Sequence, residues 1–379
     1  MKLTTAGESH GKALVAIIEG LPAHLPISLQ RINADLALRQ KGYGRGARQK
    51  IEKDQAEILT GVRDGETLGS PLTLCIYNKD YANWSACMSA EECDKERMQE
   101  KQVTKVRPGH ADLTGMMKFE QTDARNILER ASARETAIRV AAGSVFKQYL
   151  SALGIEIAGY VKEVCGVKDR GRYEFNQLLS AKSTELGMLD KNAEAWAKKK
   201  IDELKQSGDT AGGVVELRVK GLKRGFGSMM TYEEKLDGKL AQSLMSIQAV
   251  KGVSFGLGFE VGSLSGKAVH DEIFHEVGKG FYRQTNRAGG IEGGMSNGEE
   301  MIISVAMKPI PTLMNGLQTV DYLTKQPCVA ASERSDVCAI FALEQIAEAA
   351  IAQVLASEIS HRVGGDTMSQ LKERYSRLP

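Results

Sequence analysis

The run ARETAIRVAAGSVFKQYLSALG, Ala133 to Gly154, constrains the fold more than any other stretch of this chain. Ile138, Ala141, Val145 and Tyr149 recur at helical spacing, and Gly154 supplies a stop. A second strong helix is expected over Leu343 to Ser360, LEQIAEAAIAQVLASEIS. A third lies in ISLQRINADLALRQKG, where Ser28 can cap, Ile32, Leu36 and Leu38 form the apolar stripe, and Gly42 closes. Between them run β-branched segments. ALVAIIEG, Ala13 to Gly20, reads as a buried strand, and AEILTGVRDGETLGSPLTLCIYN as a hairpin turning at Asp64 and Gly65. SLMSIQAVKGVSFGLGFEVG passes from a helix end into a strand. Helices and strands alternate without strict βαβ spacing, so the expected class is α+β with antiparallel sheets. With no internal repeat, proline-rich linker or clean boundary, residues 1–379 are expected to form a single domain. Two segments stand apart. Ala90 to Lys105 is highly charged without an apolar stripe and reads as an exposed or mobile excursion; residues 365–379 read as a loose tail.

Charge narrows the function classes. Fifty basic and 48 acidic residues leave a formal net charge of +2, so an electropositive site has to come from local clustering. Near-neutral charge and few aromatics also argue against a nucleic-acid partner. Six cysteines (Cys75, Cys87, Cys93, Cys165, Cys328 and Cys338) form no CxxC pair, which argues against a zinc site or a disulfide framework. A reduced, cytoplasmic setting is expected. The first residues do not read as a signal peptide, and no stretch reads as long enough to span a membrane, so no membrane partner is expected.

The familiar nucleotide motifs are negative. GYGRGARQ lacks the third glycine of GxGxxG and reads as a flexible surface loop, and VGSLSGKA misses the P-loop at Val261 and Ala268. The positive signal is arginine beside glycine, serine and histidine. Arg39, Arg45 and Arg48 lie on and just after a helix end; Arg107 precedes His110; Arg130 and Arg134 flank Ser132; Arg334 sits in SERSDVC. Each alone reads as a solvated side chain, whereas their repeated placement points to bidentate binding of phosphate or carboxylate. His10 in ESHGK and His110 in PGHAD sit in glycine-flanked polar loops, as structural residues or as acids and bases working near neutral pH. Asp336 in RSDVCA is either a helix N-cap or a catalytic carboxylate. NRAGGIEGGMSNGEE carries four glycines in six residues, spacing that lets backbone press against a flat or anionic ligand, and MKPIPTL follows with two prolines.

Taken in order, these segments resemble the chorismate synthase family. TAGESHGKALVAIIEGLPA, RQKGYGRGAR, RPGHADLTG, RASARETAIRVAAG, AVKGVSFG, GGIEGGMSNGE, KPIPT and RSDVCA follow the family pattern along almost the whole chain. The resemblance implies a β-α-β sandwich of antiparallel sheets enclosing helices, assembled as a homotetramer. It implies anti-1,4-elimination of phosphate from 5-enolpyruvylshikimate 3-phosphate to give chorismate, with reduced FMN required although the reaction is redox-neutral. Carried over by position, His10 resembles the acid for the departing phosphate and His110 the residue that protonates the reduced flavin. Ser9 and Ser132 resemble the paired hydroxyls, and Asp336 the carboxylate that tunes flavin N5. Arg39, Arg45, Arg48, Arg107 and Arg134 would hold substrate phosphate and carboxylates. Arg130, Ala131, Ser132, Gln248, Ala249, Gly293, Lys308, Pro309, Ile310, Pro311, Thr312 and Arg334 would hold FMN. Gln248 stands where the family commonly has asparagine, and NRAGG replaces a more usual pair of asparagines. No part of the chain is left over for reducing flavin, so an external source of reduced FMN is expected. Two rival readings are a flavin- or NADPH-dependent oxidoreductase, opposed by the missing dinucleotide fingerprint, and an anion- or nucleic-acid-binding protein, opposed by the charge balance.

Overall fold

The computed structural model describes residues 1–46, 52–332 and 335–379. Two antiparallel sheets enclose a layer of helices. The first comprises β1 (Lys2–Ala6), β2 (Ala13–Glu19), β3 (Glu57–Thr60) and β4 (Leu72–Tyr77), in the order β1-β2-β4-β3. In its centre Leu14 faces Ile76, Ala16 faces Leu74 and Ile18 faces Leu72, and all six are buried, so alternate residues of β2 and β4 meet the helices. The hairpin expected around Asp64 and Gly65 is present. Its tip pairs Val62–Arg63 with Glu66–Thr67, and Asp64 and Gly65 both take positive φ, 52° and 77°, as a two-residue loop favours.

The second sheet comprises β5 (Glu156–Val164), β6 (Gly213–Lys220), β7 (Val250–Phe255) and β8 (Met301–Met307), ordered β7-β8-β6-β5, with Val167–Lys168 paired outside β5. Met301, Ile303, Val305 and Met307 alternate onto the buried face of β8.

Among the described residues the α-helices of seven residues or more are α1 (Leu29–Gln40), α2 (Lys95–Lys101), α3 (Asp112–Lys118), α4 (Arg125–Ala131), α5 (Thr136–Ser151), α6 (Lys191–Ser207), α7 (Leu236–Met245), α8 (Ile340–Val363) and α9 (Met368–Ser376). Helix α5 packs on β2 and β4, α8 packs on β5 and β6, and the two helices pack on each other. Ile138, Ala141, Val145 and Tyr149 are fully buried, but so are Ala137, Ala142 and Phe146. The sequence stripe understates this helix, which is covered on nearly every side. Gly143 allows the close approach, because a Cβ there would lie 2.2 Å from Cβ of Ala349. Helix α8 is long and apolar enough by length and composition to cross a membrane, contrary to the expectation from sequence. Yet 83% of that apolar window is buried inside the fold, where the second sheet and α5 use its surface.

Three further expectations change. In α1 the Ser28 hydroxyl accepts from the Arg31 amide as expected, but the buried positions are Ile32, Leu36 and Arg39, with Leu38 only half-buried. The third inward position of the stripe is therefore an arginine. The charged excursion is exposed, as its composition demands, but α2 orders it. Asp94 caps this helix by accepting from the amides of Glu96 and Arg97. The tail is not loose. Thr367 caps α9 and pairs with Ala23, while Met368, Leu371 and Tyr375 are buried at helical spacing. One continuous apolar core joins both sheets with α1, α5, α7, α8 and α9.

Candidate active site

The cavity begins where β1 ends. Gly7 takes φ of +114°, and a Cβ on it would lie 2.4 Å from the Ala13 carbonyl oxygen, so only glycine makes this bend. The bend lays Ser9 and His10 across the end of α4. There the Ser9 amide donates to the Glu129 carbonyl (2.9 Å), the His10 amide to Glu129 Oε2 (2.7 Å), and His10 Nδ1 bonds Glu129 Oε1 (2.9 Å). The Trp84 ring stacks on the imidazole at 4.0 Å and 27°. Its indole N–H donates to Asp80, and Lys101 at the end of α2 lies 5.1 Å from the ring centroid.

A second imidazole is held similarly at the start of α3. His110 Nδ1 lies 2.5 Å from Asp112 Oδ1, and Asp112 also accepts from the Arg107 amide (3.1 Å) and from Nε and Nη2 of its guanidinium (2.8 and 3.0 Å). Burial works against ionisation of both carboxylates. For Asp112 the bonds from His110 and Arg107 overcome it and hold the carboxyl well below the usual range; for Glu129, His10 and Arg125 overcome it and lower the carboxyl from its ordinary value. An ionised carboxylate only accepts, so Nδ1 of each ring carries hydrogen, and Nε2 makes no hydrogen bond among the described residues.

Both rings line one cavity of about 400 Å³. It also brings together Ser9, Ser132, Asp336, Arg39, Arg45, Arg107, Arg134, Ala131, Gln248, Ala249, Lys308, Ile310, Pro311 and Thr312. Its apolar side is Leu128, Ile247, Met307, Ala342, Leu343 and Ile346, all buried. Ala249 holds φ of +68°, costly for a residue with a side chain, with its carbonyl accepting from the Lys308 amide at 2.9 Å. The Lys308 ammonium donates to the Gly109 carbonyl, joining KPIPT to the His110 loop. Gln248 Oε1 and Arg45 Nε are buried without hydrogen-bond partners among the described residues.

The arginines divide into two groups. Arg39 donates to Thr136 Oγ1 and the Ala133 carbonyl, and Arg134 to Asn78 Oδ1 and Asp54 Oδ2, the last at 2.6 Å. Their guanidiniums are thus fastened into the wall. Burial first, then repulsion from Arg134 and Arg45, lowers Arg39 to about 9 against the attraction of Asp54. Arg45 reaches across to Asp336 (3.0 Å), whose other oxygen accepts from the Gly46 amide at 2.6 Å. Asp336 is no helix N-cap, since α8 begins after Ala339. Far from being a free surface loop, residues 42–46 are half-buried, with the Gly44 carbonyl accepting from Val337 and Cys338.

Several expected contacts lie elsewhere. Arg130 turns back to the carbonyls of Thr5 and Gly7, and Pro309 is exposed; neither lines the cavity. Gly293, exposed, and Gly294, buried against Lys235, form a two-residue turn between Ile291–Glu292 and Met295–Ser296, with φ of 58° and 80°, so local turn geometry and close packing account for them. Arg48 and Arg334 lie outside the described residues. No cluster of His, Cys, Asp or Glu among the described residues is placed to hold a metal. Sequence reasoning missed Glu52, Asp54, Trp84, Asp112 and Glu129. Two signals were present: Asp112 stands two residues after His110, and Glu129 directly precedes Arg130-Ala131-Ser132.

A family model described as chorismate synthase matches residues 1–359. The chain is 52% identical over 385 residues to a chorismate synthase of Geobacter metallireducens, covering 99% of this chain and 97% of that one. It is 50% identical over 384 residues to one from Caldicellulosiruptor bescii, covering 100% and 99%. A solved structure, the crystal structure of a chorismate synthase, matches with a TM-score of 0.80 at 39% identity, covering 99% of this chain and 96% of that chain.

Proposed function

The chain belongs to the chorismate synthase family, and on that premise we propose that its cavity eliminates phosphate from 5-enolpyruvylshikimate 3-phosphate to give chorismate. This is a carbon–oxygen lyase reaction without net redox change. The observation that carries the proposal is the placing of two imidazoles, each fixed at Nδ1 by a buried carboxylate, beside cations and an apolar surface in one cavity.

His10 is the proton donor to the departing phosphate: its Nδ1 is occupied by Glu129, which leaves Nε2 for a ligand. Arg45 meets the substrate's anionic groups from the cavity wall, and Arg107, held in place by Asp112 and Thr312, presents its charge to them, while Arg39 and Arg134 act mainly by holding that wall with Asp54 and Asn78. The residues also fit a flavin. Leu343, Ile346, Met307 and Ile247 offer an apolar face to a flat ring, and the orphaned Gln248 Oε1 offers an acceptor at its polar edge. When bound, reduced FMN would supply transient electron density to the electron-poor allylic carbon as the C–O bond to phosphate breaks and the C6 proton is lost, with no net transfer of electrons from the flavin. His110 donates a proton toward the reduced ring, and Lys308 and Thr312 complete that side of the cavity. The proposal includes an external source of reduced FMN, a cytoplasmic setting and a homotetramer, all supported by the family resemblance.

Anaerobic incubation of the protein with the phosphate ester and photoreduced FMN tests the reading. Inorganic phosphate and chorismate absorbance should rise together, and neither should rise without reduced FMN. Phosphate release without chorismate would contradict it.

A further inference from the structure

We propose that Glu129 is the positioning residue for His10, with Trp84 as the face against which the ring is held. The inference rests on the reading of His10 as the acid. A glycine-flanked loop leaves an imidazole free to rotate and to change tautomer, and a proton donor needs neither freedom. Glu129 removes both. Its Oε1 takes the Nδ1 hydrogen, its Oε2 takes the main-chain N–H of the same residue, and its carbonyl takes the Ser9 amide. A single residue at the end of α4 therefore fixes the loop, the ring rotation and the tautomer.

The carboxylate sets rotation in the ring plane but not tilt. Trp84 sets tilt, stacked at 4.0 Å with its indole N–H tied to Asp80 at 3.1 Å. Lys101, delivered by the charged excursion, and Arg125 lie 5.1 and 5.0 Å from the centroid of that indole. This gives the excursion a task that its composition did not reveal: it backs the aromatic wall of the acid. The groups facing Glu129 are His10 and Arg125, both cationic when protonated, so the carboxylate stays ionised and stabilises the imidazolium that must exist before the proton leaves.

A double-mutant cycle reads the claim. In the full chain with reduced FMN, Glu129→Gln should lower kcat by about 10-fold to 10³-fold, with KM for the phosphate ester within about 3-fold. In a His10→Ala background the same substitution should change kcat by less than about 2-fold, because a residue acting through His10 has nothing left to act on. Trp84→Leu should show a smaller loss, about 3-fold to 10-fold, that also disappears in that background. An equal loss in both backgrounds, or no loss, would overturn the assignment. Full activity in His10→Ala would instead overturn the acid reading. Nitrogen chemical shifts of His10 in the unaltered chain test positioning without substitution: hydrogen on Nδ1 with Nε2 titrating supports it, and the opposite tautomer overturns it.

Discussion

Each imidazole in the cavity has one nitrogen assigned to a buried carboxylate and one left for chemistry, yet their surroundings differ. His10 stacks on Trp84, whereas His110 shares Asp112 with Arg107. The proposed division of labour follows, and it predicts different spectra. His10→Ala should slow turnover about 10²-fold to 10⁴-fold while bound reduced FMN keeps its normal absorbance. His110→Ala should also slow turnover, but with bound reduced FMN shifted toward its anionic form. Absorbance across pH with substrate present checks this; identical spectra in the two variants would refute the division. Arg45→Ala should weaken substrate by roughly 2–5 kcal/mol, more than flavin, because Arg45 retains at the cavity a buried Nε that no described residue partners. Calorimetric titration showing an equal loss for both ligands would count against it. At this scale the histidines and arginines were legible as residue types in glycine-rich loops, but their partners were not. A glutamate such as Glu129 on a short polar helix looks solvated in sequence, because its pairing with His10 spans 119 positions.

Helical periodicity identified α5 and α8 because apolar residues recur there over many turns, and it found α1 through its cap. It failed on α9, where only Met368, Leu371 and Tyr375 mark the buried face among charged neighbours. It also misassigned Leu38, because a pattern count does not expect Arg39 to point inward toward Thr136. The four glycines of Gly289 to Gly294 were legible as special backbone but not as turn rather than ligand contact, since both demand positive φ. The α5–α8 contact gives a test with an unusual sign. Glycine to alanine inside a helix ordinarily stabilises by about 1 kcal/mol. Gly143→Ala should instead destabilise by about 1–3 kcal/mol, since the new methyl meets Ala349. Thermal unfolding checks it, and a raised Tm would show that the helices can move apart.

Across the whole molecule, the cavity is assembled from the β1–β2 turn, α1, the His110 loop, α4, the β7 approach, the segment after β8 and the start of α8, so it exists only when the main core and the smaller cluster around Leu128 are both formed. That core also buries charge. Glu348 on α8 meets Lys147 of α5 at 3.1 Å and Lys182 at 2.8 Å. Burial opposes its ionisation, but Lys182 and Lys147 hold its carboxyl below the usual range, while burial and Glu348 push neighbouring Glu344 up. A depressed acid contributes stability above its unfolded value and loses it as pH falls through the folded one. Glu348→Gln should therefore cost about 3–5 kcal/mol at pH 7. The deficit should shrink between pH 4.5 and about 2 in denaturant unfolding, and a constant deficit would contradict the assignment. The central claim, that this cavity performs an elimination in which flavin is not consumed, is tested most directly by counting chorismate formed per FMN. The count is made without air, with reduced FMN limiting and no reductant added. The account predicts many equivalents of chorismate per FMN with the flavin still reduced at the end; one equivalent accompanied by one oxidised FMN would contradict it.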